Sequence, residues 1–170
     1  LAGGGHGHDA PAGPGSERGA DAGLGRFVLL TIGFAVIWAA PVVLCIHLLG
    51  RNPFADVAEL FTSAAFVTFG GAYAVLPYVA NAAVNTYHWM SGTQMIDGLA
   101  LAETTPGPLI MVTTYVGFFA GWATEGGNLV RAIWAALLTT HVTFLPSFYL
   151  ILIGAPYVER LQRIDWAKNA

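Results

Sequence analysis

The sequence predicts an all-α, polytopic transmembrane helical domain with two broken helical hairpins, one interrupted by Gly-Gly and the other by Pro-Gly-Pro. Hydrophobic residues make up 55% of the 170 residues, charged residues only 10%, and the mean hydropathy is +0.60. A soluble domain usually has about 25% charged residues. Two apolar stretches are long enough to cross a bilayer, and two others contain helix-breaking residues. Insertion into a bilayer explains why the chain has so few charged residues.

Composition also excludes several classes of function. The net charge of -3 comes without a basic stripe, so no nucleic-acid partner is expected. The single cysteine, Cys45, excludes an intrachain disulfide framework and a Cys-rich zinc site. His6, His8 and Asp9 are too few ligands for a fixed metal site, and a disordered tail is the favoured interpretation. The sequence therefore predicts no cofactor and no metal.

Two regions follow from the order of the residues. Residues 1–25 are rich in Gly, Ala and Pro and predict a flexible linker or tail. Residues 26–170 predict a membrane-embedded domain. Within it, Phe27–Leu49 carries no charge and is long enough to cross about 30 Å of hydrocarbon. Leu129–Ile153 predicts the final span, with Arg131 near its start.

The first broken element consists of Phe54–Phe69, the pair Gly70-Gly71 and Ala72–Thr86. Neither helical piece reaches the roughly 20 residues of a full span. A hairpin that enters the membrane and turns back is the simplest interpretation. A single long, kinked span is the alternative.

The second broken element has the same design. Ser91 is a plausible N-cap for a helix that runs to Thr105. Pro106-Gly107-Pro108 breaks this helix, and Leu109–Trp122 forms a second piece. A broken helix at membrane depth persists only where it is buried in protein or lines a wet cavity. The break therefore predicts the inside of a membrane transport site.

The helix breaks favour an anion as the transported species. Each piece that follows a break begins with free backbone N–H groups and the positive end of a helix dipole. Two such ends that meet near the midplane form an anion site without Lys or Arg. Hydroxyl and backbone groups beside the breaks supply the predicted contacts with the anion, at Thr68, Gly70, Gly71, Thr104, Thr105, Gly107 and Leu109.

Ionisable residues at membrane depth are candidates for proton coupling, and Glu103 and His141 are the two predicted here. An ionised Glu103 repels an oxyanion, whereas a protonated one does not. Glu103 as the proton carrier is therefore a hypothesis. The alternatives are a structural carboxyl for Glu103 and a hydrogen-bonded packing residue for His141. Asp97 lies near a helix start, where a water-facing carboxylate is the simpler interpretation.

The distribution of basic residues predicts the orientation. If both broken elements cross the membrane, or if both turn back, the two termini lie on one side of it. That side then carries five basic residues against two on the other, which places the termini in the cytoplasm. The five are Arg18, Arg26, Arg160, Arg163 and Lys168, and the two are Arg51 and Arg131.

Several motifs resemble the chromate ion transporter (CHR) family. The match runs from about Ala35 to Asp165, and the pairing of Phe-Gly-Gly with Pro-Gly-Pro at this spacing makes it specific. The motifs are Phe69-Gly70-Gly71-Ala72-Tyr73-Ala74-Val75-Leu76-Pro77-Tyr78-Val79, Trp89, Asp97-Gly98-Leu99-Ala100-Leu101-Ala102-Glu103-Thr104-Thr105-Pro106-Gly107-Pro108, Thr143-Phe144-Leu145-Pro146-Ser147-Phe148 and Gly154-Ala155-Pro156-Tyr157-Val158-Glu159.

The resemblance implies the C-terminal half of a long, two-halved member, with residues 1–25 in the segment that joins the halves. Such proteins export chromate across the inner cell membrane, with sulfate as the related anion. The implied partners are the lipid bilayer and a homologous N-terminal half or a second copy. Family members continue beyond Tyr157 with further membrane helices, so the resemblance implies a chain that is incomplete at its C-terminus.

Two other classes of function remain open at this point. An intramembrane enzyme would use Asp97, Glu103 and His141 as acid and base groups. No nucleophile motif supports it, so a non-enzymatic function is expected. A membrane scaffold would use small residues for close helix contact, such as Gly98, Ala100, Ala102, Gly117 and Gly121.

Overall fold

Apolar helical segments form nearly all of the part of the chain that the structure describes. The structure is a computed structural model, and it describes residues 15–67, 72–124 and 126–162. Its helices are α1 (Gly15–Leu49), α2 (Phe54–Val67), α3 (Ala72–Asn81), α4 (Gly92–Thr104), α5 (Val112–Ala123) and α6 (Leu129–Gln162). A π-helical turn, Ala82–Thr86, follows α3, and a 3-10 turn, Leu109–Met111, precedes α5. The predicted all-α class is confirmed.

Two helices are long and apolar enough to cross a membrane. Their apolar stretches are Gly25–Leu49 in α1 and Leu129–Ala155 in α6, as the sequence predicts. Both helices extend beyond the predicted spans at their outer ends. α1 begins at Gly15, inside the segment predicted as a linker, and residues 1–14 lie outside the described part. Only 6% of the α1 stretch is buried inside the molecule, which suits a helix that faces lipid.

Helix α6 is the centre of the packing, since α5, α2 and α1 all lie against it. The closest contact is with α5, whose surface toward α6 contains two glycines. A Cβ atom on Gly121 would lie 2.5 Å from the carbonyl oxygen of Arg131. A Cβ atom on Gly117 would overlap Thr139 Oγ1. The two glycines therefore let the backbones of α5 and α6 approach directly.

Helices α1 and α6 run antiparallel with their ends level. The Arg131 guanidinium at the start of α6 donates to the carbonyl oxygens of Leu49 and Asn52 at the end of α1. At the opposite end, the hydroxyls of Thr31 and Tyr149 lie 3.1 Å apart. The beginning of α1 and the end of α6 therefore lie on the same side of the molecule.

The second broken element forms as the sequence predicts. Ser91 Oγ accepts the backbone N–H of Gln94 at 3.2 Å, and Gln94 Oε1 accepts the N–H of Ser91 at 2.8 Å. This capping box fixes the start of α4. α4 ends at Thr104, and Pro106-Gly107-Pro108 separates it from the 3-10 turn that leads into α5.

The first broken element is described on both sides of its break. α2 ends at Val67 and α3 begins at Ala72, close to the predicted limits. Gly70-Gly71 itself lies outside the described residues. The π-helical turn after α3 leads to Tyr87, whose ring stacks on Trp89 with the centroids 4.5 Å apart. Whether this element crosses the bilayer or turns back stays a prediction.

Candidate functional site

A cavity of about 340 Å³ lies beside the Pro-Gly-Pro break, where both broken elements meet α6. We call it the Thr143 cavity. α2 lines it with Phe61, Ala64 and Ala65, and Val75 comes from the start of α3. The break and the beginning of α5 contribute Pro108, Leu109, Ile110 and Thr113. α6 completes the lining with Thr143, Phe144 and Ser147.

The Thr143 cavity lies level with the middle of both long apolar stretches. Thr143 is near the middle of the α6 stretch Leu129–Ala155. One half-turn earlier on α6, His141 contacts Ile37, which is the midpoint of the α1 stretch Gly25–Leu49. Both spans therefore place this level close to the centre of a bilayer. The volume is at the small end of the range for ligand pockets, which begins at about 300 Å³.

The Thr143 hydroxyl is the most informative polar group in this cavity. Its side chain is only 8% exposed, and among the described residues Oγ1 has no hydrogen-bond partner. Its neighbours on α6 behave differently. Thr139 and Thr140 donate to the carbonyls of Ala135 and Ala136 at 2.8 and 3.0 Å. A buried hydroxyl without a partner is costly. Because Oγ1 is covered in this structure, a ligand in the cavity would satisfy it only after the Thr143 side chain rotates about its Cα–Cβ bond.

The start of a helix also lines the cavity, just after the break. Leu109–Ala123 is a continuous helical segment, and its first N–H groups, on Leu109 and Ile110, have no partner within the helix. The positive end of the helix dipole is at this terminus. Thr113 donates its own hydroxyl to the Ile110 carbonyl at 2.7 Å, so its oxygen remains available only as an acceptor.

A second cavity, of about 310 Å³, lies on the other side of the break. We call it the Tyr115 cavity. Pro108 lines both cavities, whereas Pro106 and Gly107 line only the Tyr115 cavity. The Tyr115 hydroxyl donates to the Gln94 carbonyl at 3.1 Å, and its ring lies against Gly98. A Cβ atom at Gly98 would come within 2.5 Å of that ring.

The predicted anion contacts divide between these two cavities. Leu109 lines the Thr143 cavity, whereas Thr105 and Gly107 line the Tyr115 cavity. Thr104 lines neither cavity and is exposed. The Thr104 and Thr105 hydroxyls already donate within α4, at 3.0 Å to Ala100 and 2.7 Å to Leu101. Three further predicted residues, Thr68, Gly70 and Gly71, lie outside the described residues.

The two predicted proton-coupling residues line neither of the two cavities. Glu103 is exposed at the end of α4, and neither cavity lining includes it. His141 is half-buried, and its Nε2 lies 3.0 Å from the Ile37 carbonyl oxygen. As a donor to that carbonyl, His141 ties α6 to α1. This contact matches the packing role that the sequence left open for it.

Among the described residues, no Lys or Arg side chain lines either cavity. No Lys or Arg lies between Arg51 and Arg131 in the sequence. The Arg131 guanidinium is directed to the carbonyls at the end of α1 and lies 5.6 Å from the centre of the Phe54 ring. The described lining of the Thr143 cavity therefore offers hydroxyls and backbone N–H groups but no charge.

Sequence reasoning did not single out Thr143 and Ser147 as site residues. Their spacing of four places both on one face of α6, and both line the cavity. The sequence shows this spacing, but it does not show which threonine on a helix lacks a partner for its hydroxyl.

Comparisons with known proteins find one family of transporters and several proteins named as transporters. The family described as chromate transporter matches residues 55–170, more than half of the chain. A chromate transport protein of Pseudomonas aeruginosa is 37% identical over 131 residues, which are 75% of this chain and 28% of that protein. The corresponding protein of Cupriavidus metallidurans is 27% identical over 109 residues, 64% of this chain and 25% of its own length.

A shorter relative is the uncharacterized transporter YwrA of Bacillus subtilis, 39% identical over 105 residues. The match covers 61% of this chain and 53% of YwrA. The chain thus spans about a quarter of the length of the two chromate transport proteins and about half of YwrA. No solved structure gives a significant match.

Proposed function

Because this chain belongs to the chromate transporter family, we propose that it forms part of a membrane transporter that binds chromate in the Thr143 cavity. The observation that carries the proposal is the buried Thr143 hydroxyl without a partner, beside the helix terminus at Leu109. A tetrahedral oxyanion accepts hydrogen bonds on every side. It would therefore satisfy both kinds of donor at once.

The remaining features of transport are proposals of the same kind. We place the protein in the inner cell membrane as a multi-pass protein with both termini in the cytoplasm, exporting chromate. Sulfate has the same tetrahedral shape and is the related anion to compare. A homologous N-terminal half or a second copy is the proposed partner, because the matched relatives are longer than this chain. Proton coupling through Glu103 or His141 stays a prediction.

Removal of the Thr143 hydroxyl tests the proposed site. Thr143→Val keeps the shape of the side chain, so we expect a folded protein with about tenfold weaker chromate binding, because one hydrogen bond to a charged ligand is lost. Thr143→Ser keeps the hydroxyl and should retain most of the affinity. Binding of labelled chromate to the full chain in nanodiscs, measured by equilibrium dialysis, gives the comparison.

Thr124→Val is the matched control. Thr124 follows α5 at its far end from the cavity, and its hydroxyl donates to the Ala120 carbonyl at 2.8 Å. Chromate affinity should not change in this variant. Equal losses in Thr124→Val and Thr143→Val would show a general effect on the fold and contradict a site at Thr143.

A further inference from the structure

Helix α2 reaches the middle of the two long helices and ends near that level. It begins beside Arg131, whose guanidinium lies 5.6 Å from the centre of the Phe54 ring. Further along α2, the Thr62 hydroxyl accepts the indole N–H of Trp38 at 3.0 Å, next to the midpoint of the α1 stretch. The 14 residues of α2 span about 21 Å, which is less than the roughly 30 Å of a hydrocarbon core.

Helices α4 and α5 lie side by side and meet at the Pro-Gly-Pro break, which borders the Thr143 cavity. Gly98 of α4 faces the Tyr115 ring of α5, and the Tyr115 hydroxyl donates to the Gln94 carbonyl at 3.1 Å. Nearer the break, Thr105 lines the Tyr115 cavity together with Met111. Two helices that meet at a break and stay in contact beyond it run in opposite directions. The second broken element is therefore a hairpin.

Helix α5 leads from the cavity to the end of the molecule where α6 begins. Thr113, near the start of α5, lines the cavity together with Thr143. A Cβ atom on Gly121, near the other end, would lie 2.5 Å from the carbonyl oxygen of Arg131. Arg131 is level with Asn52, so we call this end the Asn52 side. Because α4 runs opposite to α5, the start of α4 also lies on the Asn52 side.

The first broken element has to return to the same side, because only a short segment joins it to α4. The π-helical turn ends at Thr86 and α4 begins at Gly92. Residues 87–91 between them bridge at most about 20 Å when fully extended, too little to cross a membrane. Burial and the carboxylates of Asp56 and Glu59 raise the pKa of Tyr87, which agrees with a position of this ring near the beginning of α2.

We propose that both broken elements are re-entrant hairpins, which enter the membrane from the Asn52 side and turn back at the level of the Thr143 cavity. Within the described part of the chain, α1 and α6 are then the helices that cross the bilayer completely. A consequence rests on the proposed function. An exported anion passes the two hairpins on its way from the cavity to the Asn52 side, which is the outer side if both termini are cytoplasmic.

The segment between the two hairpins distinguishes this topology from two elements that cross the membrane. Thr86→Cys and Gly92→Cys place single thiols at its two ends, in the full chain with Cys45→Ala. Thr86 is exposed, and a Cβ atom on Gly92 has no neighbour within 4 Å, so both variants should fold. Asn52→Cys and Gln162→Cys serve as references for the two sides of the membrane.

A membrane-impermeant maleimide, applied to intact and to lysed cells, should label Thr86→Cys and Gly92→Cys in the same preparation as Asn52→Cys and to the same extent. Labelling in the pattern of Gln162→Cys would show that both elements cross, and would overturn the proposal. Thiols that react only after denaturation would place this segment inside the membrane and would also contradict it. None of these results involves an anion. Failure of the proposed function would show separately, as a folded chain that binds no chromate in nanodiscs.

Discussion

At the scale of single residues, the Thr143 hydroxyl differs from others in the helices. Thr104, Thr105, Thr139 and Thr140 all donate to a carbonyl of the helix that they belong to or end. Among the described residues, Thr143 Oγ1 is the buried hydroxyl without a hydrogen-bond partner, and Thr143 lines the cavity. A buried hydroxyl that makes no hydrogen bond within its own helix is expected where a ligand binds.

His141 allows a prediction about stability at the same scale. Its Nε2 bonds to the Ile37 carbonyl, so His141→Leu should lower the free energy of unfolding by about 1 kcal/mol, because it leaves that carbonyl without its donor. His141→Gln retains an N–H donor and should lose less. Thermal unfolding in detergent measures both variants. Equal losses in His141→Leu and His141→Gln would contradict a stabilising role for this hydrogen bond.

At the scale of helices, the two glycines of α5 fix the contact with α6. A Cβ atom in Gly117→Ala would overlap Thr139 Oγ1 and lie 2.7 Å from its Cβ, and the backbone oxygen of Ala135 is 3.1 Å away. We expect a loss of about 1–3 kcal/mol in the free energy of unfolding, because the two helices must separate. Thermal unfolding in detergent gives the measurement.

Gly33→Ala is the control for this substitution. Gly33 lies inside α1 with nothing within 4 Å of an added Cβ, so alanine should preserve or raise stability through its better helix propensity. Similar destabilisation in both variants would mean that the loss does not come from the α5–α6 contact.

Much of the helix arrangement was predictable, and much of the site was not. Apolar length predicts the spans in α1 and α6, and Ser91 with Pro106-Gly107-Pro108 predicts both ends of α4, because capping and proline effects are local. The central position of α6 depends on contacts between distant segments. The same holds for Thr143, since the partner of a hydroxyl depends on rotamer and packing. Sequence reasoning therefore chose Thr104 and Thr105, whose hydroxyls donate within α4.

At the scale of the whole molecule, Arg131 places the start of α6 level with the end of α1. Asn52 and Gln162 should accordingly lie on opposite sides of a membrane, with Gln162 on the cytoplasmic side if the count of basic residues holds. Single cysteines test this in a Cys45→Ala background. A membrane-impermeant maleimide should label Asn52→Cys in intact cells and Gln162→Cys only after lysis.

The opposite labelling pattern would reverse the predicted orientation. Labelling of both positions in intact cells would contradict the antiparallel arrangement of α1 and α6. Cys45 is buried, so it should react slowly with the maleimide, and its replacement by alanine removes the remaining background labelling.

The direct backbone contact between α5 and α6 has a mechanical consequence. Helices joined through Gly117 and Gly121 have no side-chain layer between them that would let one slide over the other. The α5–α6 pair therefore acts as one rigid wall of the Thr143 cavity. The opposite wall comes from α2 and α3, which are separate helices on either side of the first break. If the cavity binds an anion as proposed, we expect the motion that admits or releases it to displace α3 and the adjoining part of α2 rather than to separate α5 from α6.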